Sequence, residues 1–115
     1  MNMHIEQEKG VQLCAVSGDV DMYAAPELFA ACEKLLSRDP APQLVLDLSG
    51  APYMDSSGIG VLFQLCTLVR SKGGAFCLCG VSGMVEQLFR LSRMSAILPA
   101  APDRDSAIQR VRGLQ

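Results

Sequence analysis

The sequence predicts an α/β fold built on a mixed sheet, and three observations carry that prediction. Short apolar runs such as "VQLCAV", "LVLDLSG" and "AFCLCGV" have the length and composition of strands. Between them lie stretches whose apolar residues recur at helical spacing. The two kinds of segment alternate, which requires crossover connections and hence a largely parallel sheet. At 115 residues, half of them apolar, residues 1–115 have the size of one domain around one core.

The elements follow in order. A strand around residues 4–7, the turn sequence "EKG" and a strand over 11–16 form a hairpin, which makes the sheet mixed. In "PELFAACEKLLS" Pro26 suits the first turn of a helix, where its missing N–H would be unpaired anyway, and Leu28, Ala31, Cys32 and Leu35 form the apolar stripe. Two prolines in "RDPAPQ" break that pattern before an apolar strand over 44–50. From Ile59 a second helix is apolar except at Gly60, Gln64, Thr67 and Ser71, one narrow stripe on an otherwise buried helix. Gly73 and Gly74 end it, and "AFCLCGV" supplies the next strand. In "SGMVEQLFRLSRM" Ser82 is the expected N-cap, with Met84, Val85, Leu88 and Leu91 on the apolar side. "AILPA" reads as a short final strand. "DRDSAIQRVRG" closes as a helix with acids at its start and Arg110 and Arg112 near its end, as the helix dipole favours. The resulting order is β-β-α-β-α-β-α-β-α, four to five strands with about four helices.

Several functional classes are disfavoured. No apolar run approaches the roughly 18 residues that cross a bilayer, and "MNMHIEQEKG" lacks the features of a secretory signal, so a cytoplasmic protein is expected. Residues 1–60 carry nine acids against three bases and the remainder three acids against seven bases. Those bases are spread over several helices without interleaved aromatics, so no nucleic-acid partner is expected. Cys14, Cys32, Cys66, Cys77 and Cys79 lie in apolar segments and are expected as reduced core thiols. Cys77 and Cys79 have no further ligand nearby in sequence, and the only histidine is His4, so no metal site is expected.

One stretch asks for a role beyond packing. In "YMDSSGIGVLF", residues 53–63, Asp55, Ser56 and Ser57 precede Gly58 and the second helix. Capping a helix needs only one such side chain. The serines fit no G-x-S-x-G or S-x-x-K pattern, and no glycine-rich nucleotide loop of the G-x-x-x-x-G-K-[ST] type occurs, so no enzyme is expected. A serine modified by a kinase is the third reading. N–H groups at a helix start can hold the added phosphate, its charge would repel a partner that binds the neutral hydroxyl, and Gly58 and Gly60 would leave that partner room.

These residues carry a family resemblance along nearly the whole chain. "SGDVDMYAAPEL", "LVLDLSGAPYMDSSGIGVL" and "KGGAFCLCGVSGMVEQLFRLSRM" resemble an anti-sigma factor antagonist, a single STAS domain of the bacterial partner-switching type, and "MDSSGIGVL" is the specific element. The resemblance implies a STAS fold without enzymatic activity, metal or cofactor. It implies that Ser56, the serine directly after the aspartate, is phosphorylated, with Ser57 the second choice, and that Asp55 and Gly58 complete the partner-binding motif. Asp19 and Asp21, in the loop Gly18 to Asp21, match the segment that contacts the kinase, although Asp19 stands where glutamate is more usual; turn formation is the alternative role for both. The implied partners are an anti-sigma factor that is also an ATP-binding serine kinase of histidine-kinase-like fold, and a serine phosphatase that resets the switch. The same fold also serves as a non-enzymatic regulatory subunit of ABC-type lipid transport complexes, but the intact D-S-S-G favours the switch.

Overall fold

Strand alternation decides where each helix packs. The computed structural model describes residues 1–113. Its strands are β1 (Asn2–Glu8), β2 (Val11–Ser17), β3 (Gln43–Gly50), β4 (Ala75–Cys79) and β5 (Ala100–Ala101), side by side in that order. β1 and β2 are antiparallel, joined by Lys9 and Gly10, both at positive φ (54° and 81°) as a two-residue hairpin turn of this twist requires. All later neighbours are parallel.

Helices α1 (Ala25–Leu36), α2 (Ser56–Ser71) and α3 (Gly83–Leu91) each connect adjacent parallel strands. Right-handed crossovers advancing in one direction place all three on the same face. On that face Cys14, Val16, Leu44, Leu46, Leu48, Phe76 and Leu78 meet Leu28, Leu62, Leu65, Val85 and Phe89. The intervening residues Val11, Leu13, Val45, Cys77 and Cys79 point the other way, where α4 (Arg104–Val111) covers them with Ala107, Ile108 and Val111. β3 is therefore buried on both faces, which explains its nearly unbroken apolar run.

Three sequence expectations are corrected. On α2 the exposed face is wider than a stripe: besides Gly60, Gln64, Thr67 and Ser71 it includes Ser56, Ser57, Phe63 and Arg70, because α2 packs mainly inward on the sheet and sideways on α1. On α3 the buried residues are Val85 and Phe89, with Leu88 half-buried, while Met84 and Leu91 are exposed, Leu91 at 84%. The large Phe89 ring takes the core position and turns the apolar face toward itself. The final strand is only two residues long. A 3₁₀ turn, Met94–Ala96, occupies the preceding residues, the Leu98 N–H closes back on the Met94 carbonyl at 2.8 Å, and Pro99 has no N–H for a ladder.

All five cysteines are free and buried, and no cluster of metal-ligating side chains occurs among the described residues. Burial pushes the Cys66 and Cys77 thiols up and, with the Asp47 charge nearby, Cys79 up to about 12, so these remain protonated.

Candidate functional site at the mouth of α2

Asp55 does the capping at the start of α2. Its backbone is extended, and its Oδ1 accepts from the Ser57 N–H at 2.9 Å and the Gly58 N–H at 3.3 Å. Such a cap stabilises a helix by about 1 kcal/mol. With that role filled, Ser56 and Ser57 both stand exposed on the first turn, and among the described residues the Ser56 hydroxyl has no intramolecular hydrogen bond. Two of the N–H groups at the helix start, on Ser57 and Gly58, are already occupied by the Asp55 carboxylate. A phosphate on Ser56 would therefore meet like charge beside it, with these two donors already taken.

Gly58 faces inward. A Cβ there would lie 2.5 Å from Met54 Cγ and 2.7 Å from the Val20 carbonyl oxygen, so its missing side chain lets the first turn of α2 sit against the chain leaving β2. The expectation that Gly58 leaves open room is thus corrected, whereas Gly60 is exposed with open space beyond it. The contact at Gly58 closes a small backbone network. The Val20 N–H donates to the Tyr53 carbonyl at 3.0 Å, the Asp55 N–H donates to the Val20 carbonyl at 3.4 Å, and the Gly18 N–H donates to the Gly50 carbonyl at 2.8 Å. Two loops distant in sequence, 18–21 and 50–55, are in this way joined into one platform.

That platform brings the predicted acids to the serines. Asp21 Oδ1 accepts from the Tyr23 and Ala24 N–H groups at 3.0 and 2.9 Å, which bears out its turn-forming role on the approach to α1. Asp19 is exposed and lines a shallow cleft with Asp21, Tyr23 and Glu27. Beside it, between α1 and α2, runs an open groove of about 430 Å³ floored by Ala25, Phe29 and Val61 and rimmed by Met22, Ser57 and Gln64. Met22, Tyr23 and Phe63 are exposed, Tyr23 at 79%. Exposed apolar side chains grouped beside acidic ones on an open surface are a feature of protein-interaction sites.

The family model described as the STAS domain matches residues 2–107, nearly the whole chain. This chain belongs to the STAS domain family. It is 30% identical over 110 residues to the anti-sigma F factor antagonist of Paenibacillus polymyxa, covering 94% of each chain. It is 26% identical over 110 residues to the anti-sigma-B factor antagonist of Bacillus subtilis, covering 95% of this chain and 98% of that one. The crystal structure of an anti-sigma factor antagonist from Mycobacterium paratuberculosis superposes with a TM-score of 0.85 at 27% identity, over 96% of this chain and 93% of the other.

One buried charged residue of this STAS domain is not singled out by motif. Asp47, in β3, is 5% exposed; its Oδ1 accepts from the Ser49 N–H at 2.9 Å, and its Oδ2 accepts from Arg104 Nε at the start of α4. It ties the end of β3 to the start of α4. A carboxylate amid the apolar residues of "LVLDLSG" was the available signal, since an acid rarely enters a core unpaired. Burial pushes the Asp47 carboxyl up, but the Ser49 N–H and the Arg104 guanidinium outweigh it and hold the group below the usual carboxylate range. A depressed pKa contributes stability that is fully present above the unfolded value of about 3.9 and is lost as pH falls through the lower folded value. Asp47→Asn is expected to lower stability at neutral pH by about 1–3 kcal/mol and to flatten the acid limb of the stability curve. Urea titrations between neutral and acid pH check both, and an unchanged acid limb would contradict the assignment.

Proposed function

We propose that this STAS domain is an anti-sigma factor antagonist whose grip on its partner is switched at Ser56. The observation that carries the reading is the division of labour at the α2 mouth: Asp55 caps the helix, so the Ser56 hydroxyl is left exposed with nothing inside the molecule to do. In the unphosphorylated form the partner, an anti-sigma factor that is also an ATP-using serine kinase of histidine-kinase-like fold, docks over Ser56, Ser57 and the Asp19–Asp21 loop, and the sigma factor is released. The Ser56 oxygen attacks the γ-phosphorus of ATP held by the kinase, the bond to ADP breaks, and the hydroxyl proton passes to a base on the kinase. The phosphoserine carries about −1.5 to −2 charges next to Asp55, and the complex separates. A serine phosphatase returns the hydroxyl.

Asp55 and Asp21 each use one carboxylate oxygen in these caps, so both can hold their loops and still present an oxygen outward. Among the described residues Asp19 has no such internal hydrogen bond, and it is the acid given over to the partner. The chain incubated with its cognate anti-sigma kinase and ATP should take up one phosphate, located at Ser56 by tandem mass spectrometry, and Ser56→Ala should take up none. Phosphate found only on Ser57, or none on the wild-type chain, would defeat the assignment.

A further inference from the structure

The two edges of the sheet are unlike. β5 offers two residues, and Arg110 Nη1 donates to the Ala100 carbonyl at 3.0 Å, so that edge is short and partly covered. β1 offers seven residues, of which only Met3 is even half-buried, and it pairs along its whole length with β2 on one side alone. Its outward backbone groups form a ready template for another strand.

We propose that β1 pairs antiparallel with β1 of a second copy about a two-fold axis at Ile5, giving one continuous sheet across a homodimer. An axis perpendicular to the sheet keeps like faces together, so odd-numbered residues meet odd and even meet even. Centred on Ile5, the register sets Ile5 against Ile5, Met3 against Gln7, His4 against Glu6 and Asn2 against Glu8 of the second copy. No acid stands directly opposite an acid. Moving the axis to Glu6 sets glutamate against glutamate, and moving it to His4 sets histidine against histidine and leaves Glu8 unpaired. Like charges directly opposite disfavour the Glu6 register, and the Ile5 register pairs more of the strand than the His4 one. Within one chain His4 Nε2 already lies 3.9 Å from a Glu6 oxygen, and Arg104 Nη1 lies 3.4 Å from the other Glu6 oxygen. The two Glu6 side chains, diagonal across the axis, are thus each accompanied by an arginine.

The pairing is closed. It consumes both β1 edges, and the remaining β5 edges are too short and too covered to propagate it, so assembly stops at two. Asn2 lies beside Ser17, at the end of the sheet where the 18–21 loop begins. The axis therefore carries the two Ser56 sites to opposite ends, and both stay open. The dimer stands independently of the switch proposed at Ser56.

Analytical ultracentrifugation of the intact chain from micromolar to millimolar concentration should show a monomer–dimer equilibrium. Ile5→Lys, a change at an exposed position that places like charges on the axis, should raise the dimer dissociation constant by about tenfold or more. Cysteine mapping fixes the register. Under mild oxidation with diamide Ile5→Cys should give a disulfide-linked dimer, whereas Gln7→Cys, about 13 Å from its counterpart in this register, should not. A monomer throughout, undiminished association of Ile5→Lys, or equal cross-linking of the two cysteine variants would each overturn the proposal.

Discussion

Gly58→Ala is expected to destabilise the fold by about 2–3 kcal/mol, whereas Gly60→Ala, two residues further along the same helix, is expected to stabilise it by up to about 1 kcal/mol. Helix propensity favours alanine at both positions, so the difference lies wholly in packing. At position 60 a Cβ meets nothing within 4 Å. At position 58 it meets Met54 Cγ at 2.5 Å and the Val20 carbonyl oxygen at 2.7 Å. The methionine can move, but the carbonyl oxygen cannot easily do so, because it accepts the Asp55 N–H. Relief requires the first turn of α2 to lift away from the loop after β2, which loosens the platform under Ser56. Thermal denaturation of the two variants should therefore shift in opposite directions, Gly58→Ala downward by about 10 °C. Parallel shifts of the same sign would show that the close approach at Gly58 is not what holds the platform.

The sequence made the architecture legible where a physical pattern had one solution. Alternating strands and helices implied parallel crossovers, and the apolar run 44–50 implied a strand covered on both faces; β3 is that strand. Patterns with two solutions were resolved only in three dimensions. On α3 the residues Met84, Val85, Leu88 and Leu91 and the residues Val85, Leu88 and Phe89 both make acceptable helical stripes, and only contact with Leu98 and the sheet selects the second. "AILPA" has the composition of a strand, yet Pro99 and the turn at Met94–Ala96 leave two residues for pairing. At the site the motif located Asp55, Ser56 and Ser57, but it could not divide their tasks. That Asp55 rather than a serine caps is settled by local bonds to the Ser57 and Gly58 N–H groups, whereas the inward contact of Gly58 on Val20 and the tie between loops 18–21 and 50–55 join segments more than thirty residues apart.

Ser56→Asp is expected to weaken binding of the anti-sigma partner by about 100-fold, or about 2.7 kcal/mol, while Ser56→Ala changes it little. The reason lies in what surrounds position 56. A partner that closes over the first turn of α2 removes water from it, and a charge deprived of water must find donors or be strongly disfavoured. The next backbone donors along the helix, on Ser57 and Gly58, are committed to Asp55. A new carboxylate at 56, and still more a phosphate, is therefore desolvated beside an existing negative charge. This account makes residues 55 and 56 energetically coupled, which a double-mutant cycle can measure. Asp55→Asn keeps an oxygen to cap the helix but removes the charge, so in that background Ser56→Asp should weaken binding less than in the wild type. Salt separates the two contributions. Repulsion through solvent is screened at high ionic strength, whereas desolvation inside the interface is not, so most of the loss should persist in concentrated salt. Equal binding by Ser56→Ala and Ser56→Asp, or a cycle with no coupling between 55 and 56, would mean that charge at the mouth of α2 is not what separates the partners.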